Sequence, residues 1–215
     1  MKKSIEDYKN GECGSIKLGA SGVPAHIFMP ELIHQFAEQY PGIKISLDVR
    51  TAPEIENQLL LQELDCALLV ETENKKEGLI YESITMDEIV LAFSNTHPIA
   101  KKNGLEIDDL NNQTLLVHRL SSSTGWFSNS LLREIKFDME TIQLDSVSTI
   151  IKMLSYGKTV ALISKSLIEE EEDLSYRKLK DKELERKIYF VYNRDIWRND
   201  PFKYFQTLVN QLKEE

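Results

Sequence analysis

The feature that most constrains the fold is an alternation of strand and helix patterns over residues 14–70. A short apolar segment is followed by a helical pattern from Pro24, a residue favoured in a first helical turn because it has no N–H to satisfy there. The helical pattern ends at Tyr40-Pro41-Gly42, and an alternating strand and a second helix follow. The continuous apolar run Cys66–Val70 is typical of a strand that is buried on both faces. Together these elements predict an α/β fold in which helices cover a parallel sheet.

Three motifs occur in order within this stretch. They are Gly14-x-Ile16-x-Leu18-Gly19, then Pro30-x-Leu32-x-x-x-Phe36 followed by Tyr40-Pro41, and then Leu61-Gln62-Glu63-Leu64-Asp65-Cys66-Ala67-Leu68. At these spacings they resemble the start of the effector-binding domain of LysR-type transcriptional regulators. The family usually carries Gly where this chain has Gln62.

Two later motifs extend the resemblance. His97-Pro98-Ile99-Ala100 is similar to the family's His-Pro-Leu-Ala, which marks the first crossing from one lobe to the other. The family's Gly-x-Gly-x-Ala-x-x-Pro corresponds to residues 157–164, where Thr159 replaces the second Gly and Ser164 replaces the Pro. These departures concern the local turn more than the fold.

The resemblance implies a type II periplasmic-binding-protein-like fold, with two Rossmann-like lobes joined by two crossing strands and a cleft between the lobes. Residues 14–92 and 194–215 would form lobe I, and residues 93–193 would form lobe II. Residues 1–13 would be the end of a linker helix or an artificial start. In the family a winged helix-turn-helix precedes this position, and we expect DNA to be bound only through such a domain, which we do not find in this chain.

Charge and composition exclude several classes of protein. The net charge of −9 argues against direct binding to duplex DNA, because Lys and Arg side chains that neutralise phosphates supply most non-specific affinity. No apolar run reaches membrane-spanning length and no signal peptide begins at Met1, so we expect a cytoplasmic protein without membrane contact. The two cysteines, Cys13 and Cys66, agree with a reducing compartment, and a redox-sensor pair is the alternative.

We find no constellation of residues that would support catalysis. The four histidines have no metal-ligand spacing, and there is no Gly-x-Ser-x-Gly nucleophile motif. The sequence Gly14-x-x-x-x-Gly19-Ala20-Ser21 lacks the lysine of a phosphate-binding loop. We therefore predict that the chain is not an enzyme and that it needs no metal or cofactor.

Candidate binding residues follow the predicted strands, because ligands of parallel α/β sheets bind beyond the carboxyl ends of the strands. Free amides at helix starts, hydroxyl groups and Arg119 would favour a small anionic effector between the lobes. The resemblance also implies a Ser or Thr anchor after the first strand, a position that Ser21 matches. The predicted effector-binding residues are Ser21, Gly22, Thr51, Ala52, His118, Arg119, Ser122, Ser123 and Ser146.

Each of these residues also has an ordinary structural explanation. Ser21 could be a plain turn residue, Ser146 an N-cap, and the segment from His118 to Ser123 a solvent-facing loop. If the hypothesis of an anion site is correct, Ser21→Ala and Arg119→Ala should each weaken ligand binding, while melting without ligand should barely change.

The first helix carries a broad apolar stripe formed by Phe28, Met29, Leu32, Ile33 and Phe36. Such a stripe indicates either a partner surface or a helix sunk in the core. The resemblance implies an antiparallel dimer through this helix and the neighbouring strand, each pairing with lobe II of the partner, and it allows tetramers of a longer protein. We therefore predict a homodimer.

These observations favour the ligand-sensing and dimerisation domain of a bacterial LysR-type regulator, in which a small effector controls DNA binding and transcription. A stand-alone bilobed solute-binding protein is the alternative. The sequence does not identify the effector or the direction of regulation.

Overall fold

The computed structural model describes residues 14–72, 74–118, 139–180 and 184–213. The chain divides into two compact units. Unit 1 comprises the chain up to Thr85 and from Lys187 onward, and unit 2 comprises Met86–Arg186. The lobe boundaries predicted from the sequence, after residues 92 and 193, lie slightly later in the chain than these divisions.

Unit 1 consists of a sheet with helices on both faces. Its described elements are β1 (Gly14–Ala20), α1 (Gly22–Ile27), α2 (Met29–Gln39), β2 (Ile43–Val49), α3 (Ala52–Leu60), β3 (Cys66–Val70), the first part of β4 (Leu79–Ser94), the last part of β9 (Glu185–Asn193) and α5 (Asp200–Gln211). β1 lies between β2 and β3 and runs parallel to both, while β9 pairs antiparallel with β3. The predicted strand–helix order in residues 14–70 is therefore present.

The side chains of β3 alternate between two apolar cores, as the two-residue period of a strand requires. Leu68 packs in a core with α2 and α5, whereas Leu69 packs in a separate core with α3. α2 and α3 therefore lie on opposite faces of the sheet. Gly19 permits the close approach of α3, because a Cβ atom at this position would lie 2.8 Å from Ile55 Cγ2.

The helix predicted to run continuously from Pro24 to Tyr40 is in fact two helices, α1 and α2, separated at Phe28. Pro30 explains the interruption. It has no N–H with which to continue the helical hydrogen bonds, and its ring clashes with the preceding turn of a continuous helix. The chain resumes the helix when the Leu32 N–H donates to the Phe28 carbonyl.

Unit 2 is built on a mixed sheet. Its described elements are the rest of β4, short 3-10 helices at Pro98–Lys101, Ile107–Leu110 and Lys165–Leu167, β5 (Thr114–His118), β6 (Glu140–Leu144), α4 (Val147–Leu154), β7 (Val160–Ser164) and β8 (Leu174–Arg177). The strand order is β8-β4-β7-β5-β6, in which β5 runs parallel to β6 and β7. The spacing of apolar residues over 126–135 also predicts a helix, and this segment lies outside the described residues.

The apolar patterns at Leu79–Ser83 and Glu88–Ser94 predict two separate strands, but the structure has one continuous strand, β4. The polar residues between them interrupt the apolar pattern, but Asp87 is buried because Arg186 and Ser164 bind its carboxylate. Arg186 Nε donates to Asp87 Oδ2 over 2.7 Å, and Ser164 Oγ donates to Oδ1 over 2.5 Å. All three residues lie within unit 2 and are almost completely removed from solvent.

His97 caps the first 3-10 helix of unit 2 through a buried hydrogen bond. Its Nδ1 accepts from the Ile99 N–H over 3.2 Å, so this nitrogen must carry a free lone pair. Burial lowers the pKa of His97 below its ordinary value. The folded state therefore binds a proton less readily than the unfolded chain, whose His pKa is about 6.5.

We expect this difference to lower the free energy of unfolding as the pH falls from about 6.5 toward the lower pKa of folded His97. Above the pKa of the unfolded state, His97 is neutral in both states and its full contribution to stability is present. Thermal unfolding of the wild type and of His97→Asn over this pH range would test the expectation, because Asn preserves a capping oxygen but does not titrate there. A flatter pH dependence in His97→Asn is expected, and equal slopes would contradict the role of His97.

Candidate functional site

The carboxyl ends of β1, β2 and β3 lie side by side at one edge of unit 1. Ala20, near the end of β1, is paired with Val49 on one side and with Leu68 on the other. α1 and α2 follow β1, whereas α3 follows β2 and covers the opposite face of the sheet from α2. The strand connections therefore diverge at this edge, which is where parallel α/β sheets form a ligand-binding crevice.

Ser21 stands at this edge, immediately after β1, and its side chain is held firmly. The residue is only 7% exposed. Its N–H donates to the Leu68 carbonyl over 3.1 Å, and its Oγ accepts from the Val70 N–H over 3.0 Å. Ser21 Oγ does not cap α1. The bond to Val70 fixes the oxygen and leaves the hydroxyl hydrogen available to donate to a ligand.

The same bond changes one expectation from the sequence. We expected Ser21→Ala to leave melting without ligand almost unchanged. Removal of Oγ would instead leave the buried Val70 N–H without its acceptor, and such a loss costs about 1–3 kcal/mol. Gly22 follows Ser21 and is exposed, so it does not obstruct the crevice.

Thr51 begins α3, but its polar groups are already used within the chain. The Thr51 N–H donates to Glu54 Oε2 over 3.0 Å, and Thr51 Oγ1 donates to the same oxygen over 2.5 Å. A carboxylate of the chain thus occupies the helix start that we predicted would attract an anion. The side chain of Ala52 is buried against the α3 core, so any ligand contact of this residue would have to come from its backbone.

The pattern Thr-x-x-Glu at residues 51–54 is a capping box, and it was visible in the sequence. Arg50, the adjacent cation, is paired with Asp48. A hydrogen bond from Gln58 and the Arg50 guanidinium lower the pKa of Asp48. The positive charge beside Thr51 is therefore neutralised locally, which weakens the case for an anion at this point.

In unit 2, two predicted residues follow neighbouring parallel strands. His118 is the last residue of β5 and is paired with Leu144 at the end of β6, two residues before Ser146. Ser146 Oγ accepts from the Thr149 N–H over 3.4 Å, so its predicted role as an N-cap is confirmed. Arg119, Ser122 and Ser123 lie outside the described residues.

The predicted dimer-interface residues of the first helix divide into two groups. Met29, Leu32 and Phe36 are buried in the core of unit 1, so their side chains have no surface with which to contact a second copy. For these three the prediction of an interface is wrong, because the stripe was wide enough to serve the core and we assigned it outward. Phe28 and Ile33 are only partly buried.

Cys66 does not have the properties of a redox-sensing thiol. It is fully buried in β3, and burial raises its pKa well above the ordinary value. A thiol of this kind is unreactive, whereas sensor thiols are exposed and ionised. Cys13, the other member of the alternative sensor pair, lies outside the described residues.

Within residues 14–72, 74–118, 139–180 and 184–213, no helix is long and apolar enough to cross a membrane. No group of three or more His, Cys, Asp and Glu side chains in the same ranges is arranged to hold a metal ion.

Comparisons with known proteins agree with the architecture. A family model described as the LysR substrate binding domain matches residues 9–215. A probable RuBisCO transcriptional regulator of Phaeodactylum tricornutum is 26% identical over 223 residues, which cover 99% of this chain and 72% of the relative. A protein with the same description from Thalassiosira pseudonana is 29% identical over 225 residues, covering 98% and 72%.

Solved structures share the fold. The regulatory domain of Synechocystis PCC6803 CcmR in complex with 2-PG superposes with a TM-score of 0.83 at 20% identity, covering 94% of this chain and 98% of that one. The effector-binding domain of QuiR in complex with shikimate gives a TM-score of 0.78 at 18% identity, with the same coverage. These likenesses confirm the predicted α/β fold of the periplasmic-binding-protein-like, two-lobe type.

Proposed function

The chain belongs to the LysR substrate binding domain family, and from this premise we propose that Ser21 anchors the effector of a LysR-type transcriptional regulator. The observation that supports this most strongly is the Ser21 hydroxyl, whose oxygen the Val70 N–H orients at the carboxyl edge of unit 1. An oriented hydroxyl donates to a ligand without first losing rotational freedom, which increases affinity and selectivity.

Gly22 is exposed and would contact the ligand beside Ser21. Because it has no side chain, the ligand could approach the backbone closely there. His118 and Ser146 of unit 2 remain candidate contacts, as do Arg119, Ser122 and Ser123. The location of the effector between the lobes stays a prediction. The anionic character of the effector also stays a prediction. Because the Glu54 carboxylate already accepts hydrogen bonds from Thr51, we expect any anionic group of the effector to bind away from the start of α3.

Effector binding would control DNA binding by a longer regulator. If the effector favours one conformation, DNA must change effector affinity by the same factor by which the effector changes DNA affinity. A cytoplasmic location and DNA contact through a separate domain are parts of this proposal. The alternative of a stand-alone solute-binding protein is not favoured, because the matched relatives are transcriptional regulators. The prediction that the chain is not an enzyme agrees with this family.

A thermal-shift screen against small carboxylates, phosphorylated acids, amino acids and inorganic anions would test the proposed function. A ligand at one hundred times its dissociation constant adds about 2.7 kcal/mol to the free energy of unfolding. We expect at least one compound to raise the melting temperature of the wild type. The proposal of a functioning sensor would be abandoned if a broad panel of metabolites gave no shift.

We further propose that the chain forms a homodimer through β2, which is the outermost of the described strands in unit 1. β2 is an outer strand of the sheet in unit 1, and its exposed side includes Leu47 and Val49, the latter 51% exposed. An apolar strand edge of this kind invites pairing with another chain. Phe28 and Ile33 of the neighbouring helix would extend the contact.

We expect Val49→Lys to raise the dimer dissociation constant by about tenfold or more, or about 1.4 kcal/mol, because it places a charge in the interface. Light scattering across a concentration series would measure the change. Leu61→Lys is the matched control, since Leu61 is 70% exposed and belongs to the loop after α3, not to β2. A monomeric wild type, or equal effects of the two substitutions, would contradict the proposed interface.

A further inference from the structure

We propose that unit 1 contains a site for a small organic cation, formed by the rings of Tyr81 and Tyr189 and occupied in this structure by the ammonium group of Lys75. The ligand class is a primary or quaternary ammonium compound. The inference goes beyond the proposed effector site and does not depend on it.

The geometry is that of two aromatic walls around one cation. Lys75 Nζ lies 4.2 Å from the centroid of the Tyr189 ring and 5.3 Å from that of the Tyr81 ring. The two rings stand at 88° to each other with centroids 5.9 Å apart. Both distances fall within the range of about 6 Å over which an aromatic face attracts a cation.

Two carboxylates strengthen this attraction. The Tyr81 hydroxyl donates to Glu56 Oε1 over 2.8 Å, and the Tyr189 hydroxyl donates to Glu71 Oε1 over 3.4 Å. A phenol that donates to a carboxylate has a more electron-rich ring, so its face attracts cations more strongly. Burial raises the pKa of Tyr81, which keeps this phenol protonated and able to donate.

The walls are better fixed than the group they hold. Tyr189 is buried and lies in β9 opposite Leu69, while the Tyr81 hydroxyl also accepts from the Lys76 N–H over 3.0 Å. Lys75, by contrast, is an exposed residue in the connection between β3 and β4. A free cation could therefore replace the lysine side chain without rebuilding the rings.

The neighbouring lysine does not fill the same role. Lys76 Nζ donates to the Pro53 carbonyl and to Asn57 Oδ1, and it lies 3.8 Å from Glu56 Oε2. Lys76 thus partly neutralises Glu56, and the Glu71 carboxylate adds a negative charge at the Tyr189 hydroxyl. If the Lys75 ammonium group were removed, the ring faces that it covers would lose their cation while the Glu71 carboxylate stayed nearby, which is a favourable setting for an organic cation.

Choline is a suitable probe, and 3,3-dimethylbutan-1-ol is its uncharged counterpart of similar shape. The experiment titrates wild type, Lys75→Gln and Lys75→Arg at constant ionic strength and follows the tyrosine ring signals by NMR. We expect Lys75→Gln to bind choline about two- to fivefold more tightly than wild type, which corresponds to about 0.5–1 kcal/mol of cation–π attraction released by the lysine.

Lys75→Arg should resemble the wild type, because its guanidinium still occupies the rings. The uncharged alcohol should cause no comparable shift of the Tyr81 and Tyr189 signals in any variant. Three results would overturn the proposal: no choline-dependent shift in Lys75→Gln, equal affinity in Lys75→Gln and wild type, or equal binding of choline and the alcohol. Since Lys75 is exposed, its substitution leaves the buried core of unit 1 intact.

Discussion

Asp87→Asn is expected to lower the free energy of unfolding of unit 2 by about 3–5 kcal/mol. The substitution preserves the size of the side chain but removes the charge that faces Arg186. Arg186 is completely buried, and its Nε lies 2.7 Å from Asp87 Oδ2. Burial lowers the pKa of Arg186 while the Asp87 carboxylate acts in the opposite direction. A buried guanidinium without this carboxylate would be strongly destabilising.

The matched control replaces Asp87, Arg186 and Ser164 with apolar residues, as Asp87→Leu, Arg186→Met and Ser164→Ala together. Because the buried Asp87–Arg186 ion pair is then replaced by apolar side chains, the triple variant should be close to the wild type in stability, or more stable. Chemical denaturation followed by circular dichroism would measure both proteins. An unchanged unfolding midpoint in Asp87→Asn would contradict the assignment of this pair as a buried ionic contact.

The second large effect concerns Ser21. We expect Ser21→Ala to weaken binding of an effector found in the thermal-shift screen by about tenfold, or about 1.4 kcal/mol. It should also lower stability without ligand by about 1–3 kcal/mol, because the Val70 N–H loses its acceptor. Isothermal titration and denaturation measure the two consequences separately.

Ser21→Thr separates these consequences. Threonine retains the hydroxyl oxygen for Val70, and the extended backbone of residue 21, with φ −83° and ψ 164°, suits a β-branched side chain. We expect stability close to that of the wild type, with effector affinity altered only by the added methyl group. Equal effector affinity in the wild type and in Ser21→Ala would exclude Ser21 as an anchor.

The sequence predicted those parts of the fold that follow from local rules. Ser146 caps α4 as expected, and Gly157, with φ +75°, ends the following turn in the left-handed conformation that glycine favours. β4 was predicted as two strands because a buried Asp87 has no local signature. Its partners, Ser164 and Arg186, are far away in the sequence, and only the folded chain brings their side chains to the carboxylate.

The candidate site was predictable to a smaller extent. The position of Ser21 after the first strand indicated its place in the crevice, but not the bond to Val70 that fixes its hydroxyl. At Thr51 we considered the helix start alone and overlooked Glu54, three residues later. For α2, the apolar stripe alone does not show whether a residue faces the core or an interface. The structure decides this for Met29 and Phe36, because the sheet and α5 cover them.

The buried thiol of Cys66 offers a way to time the opening of unit 1 by itself. A thiol reagent can modify Cys66 only when β3 leaves its core, so the labelling rate of a Cys13→Ser protein reports the opening of unit 1. Asp87→Asn acts in unit 2 and should leave this rate unchanged if the units open independently. A matching acceleration would show that the two units open together, as one cooperative structure.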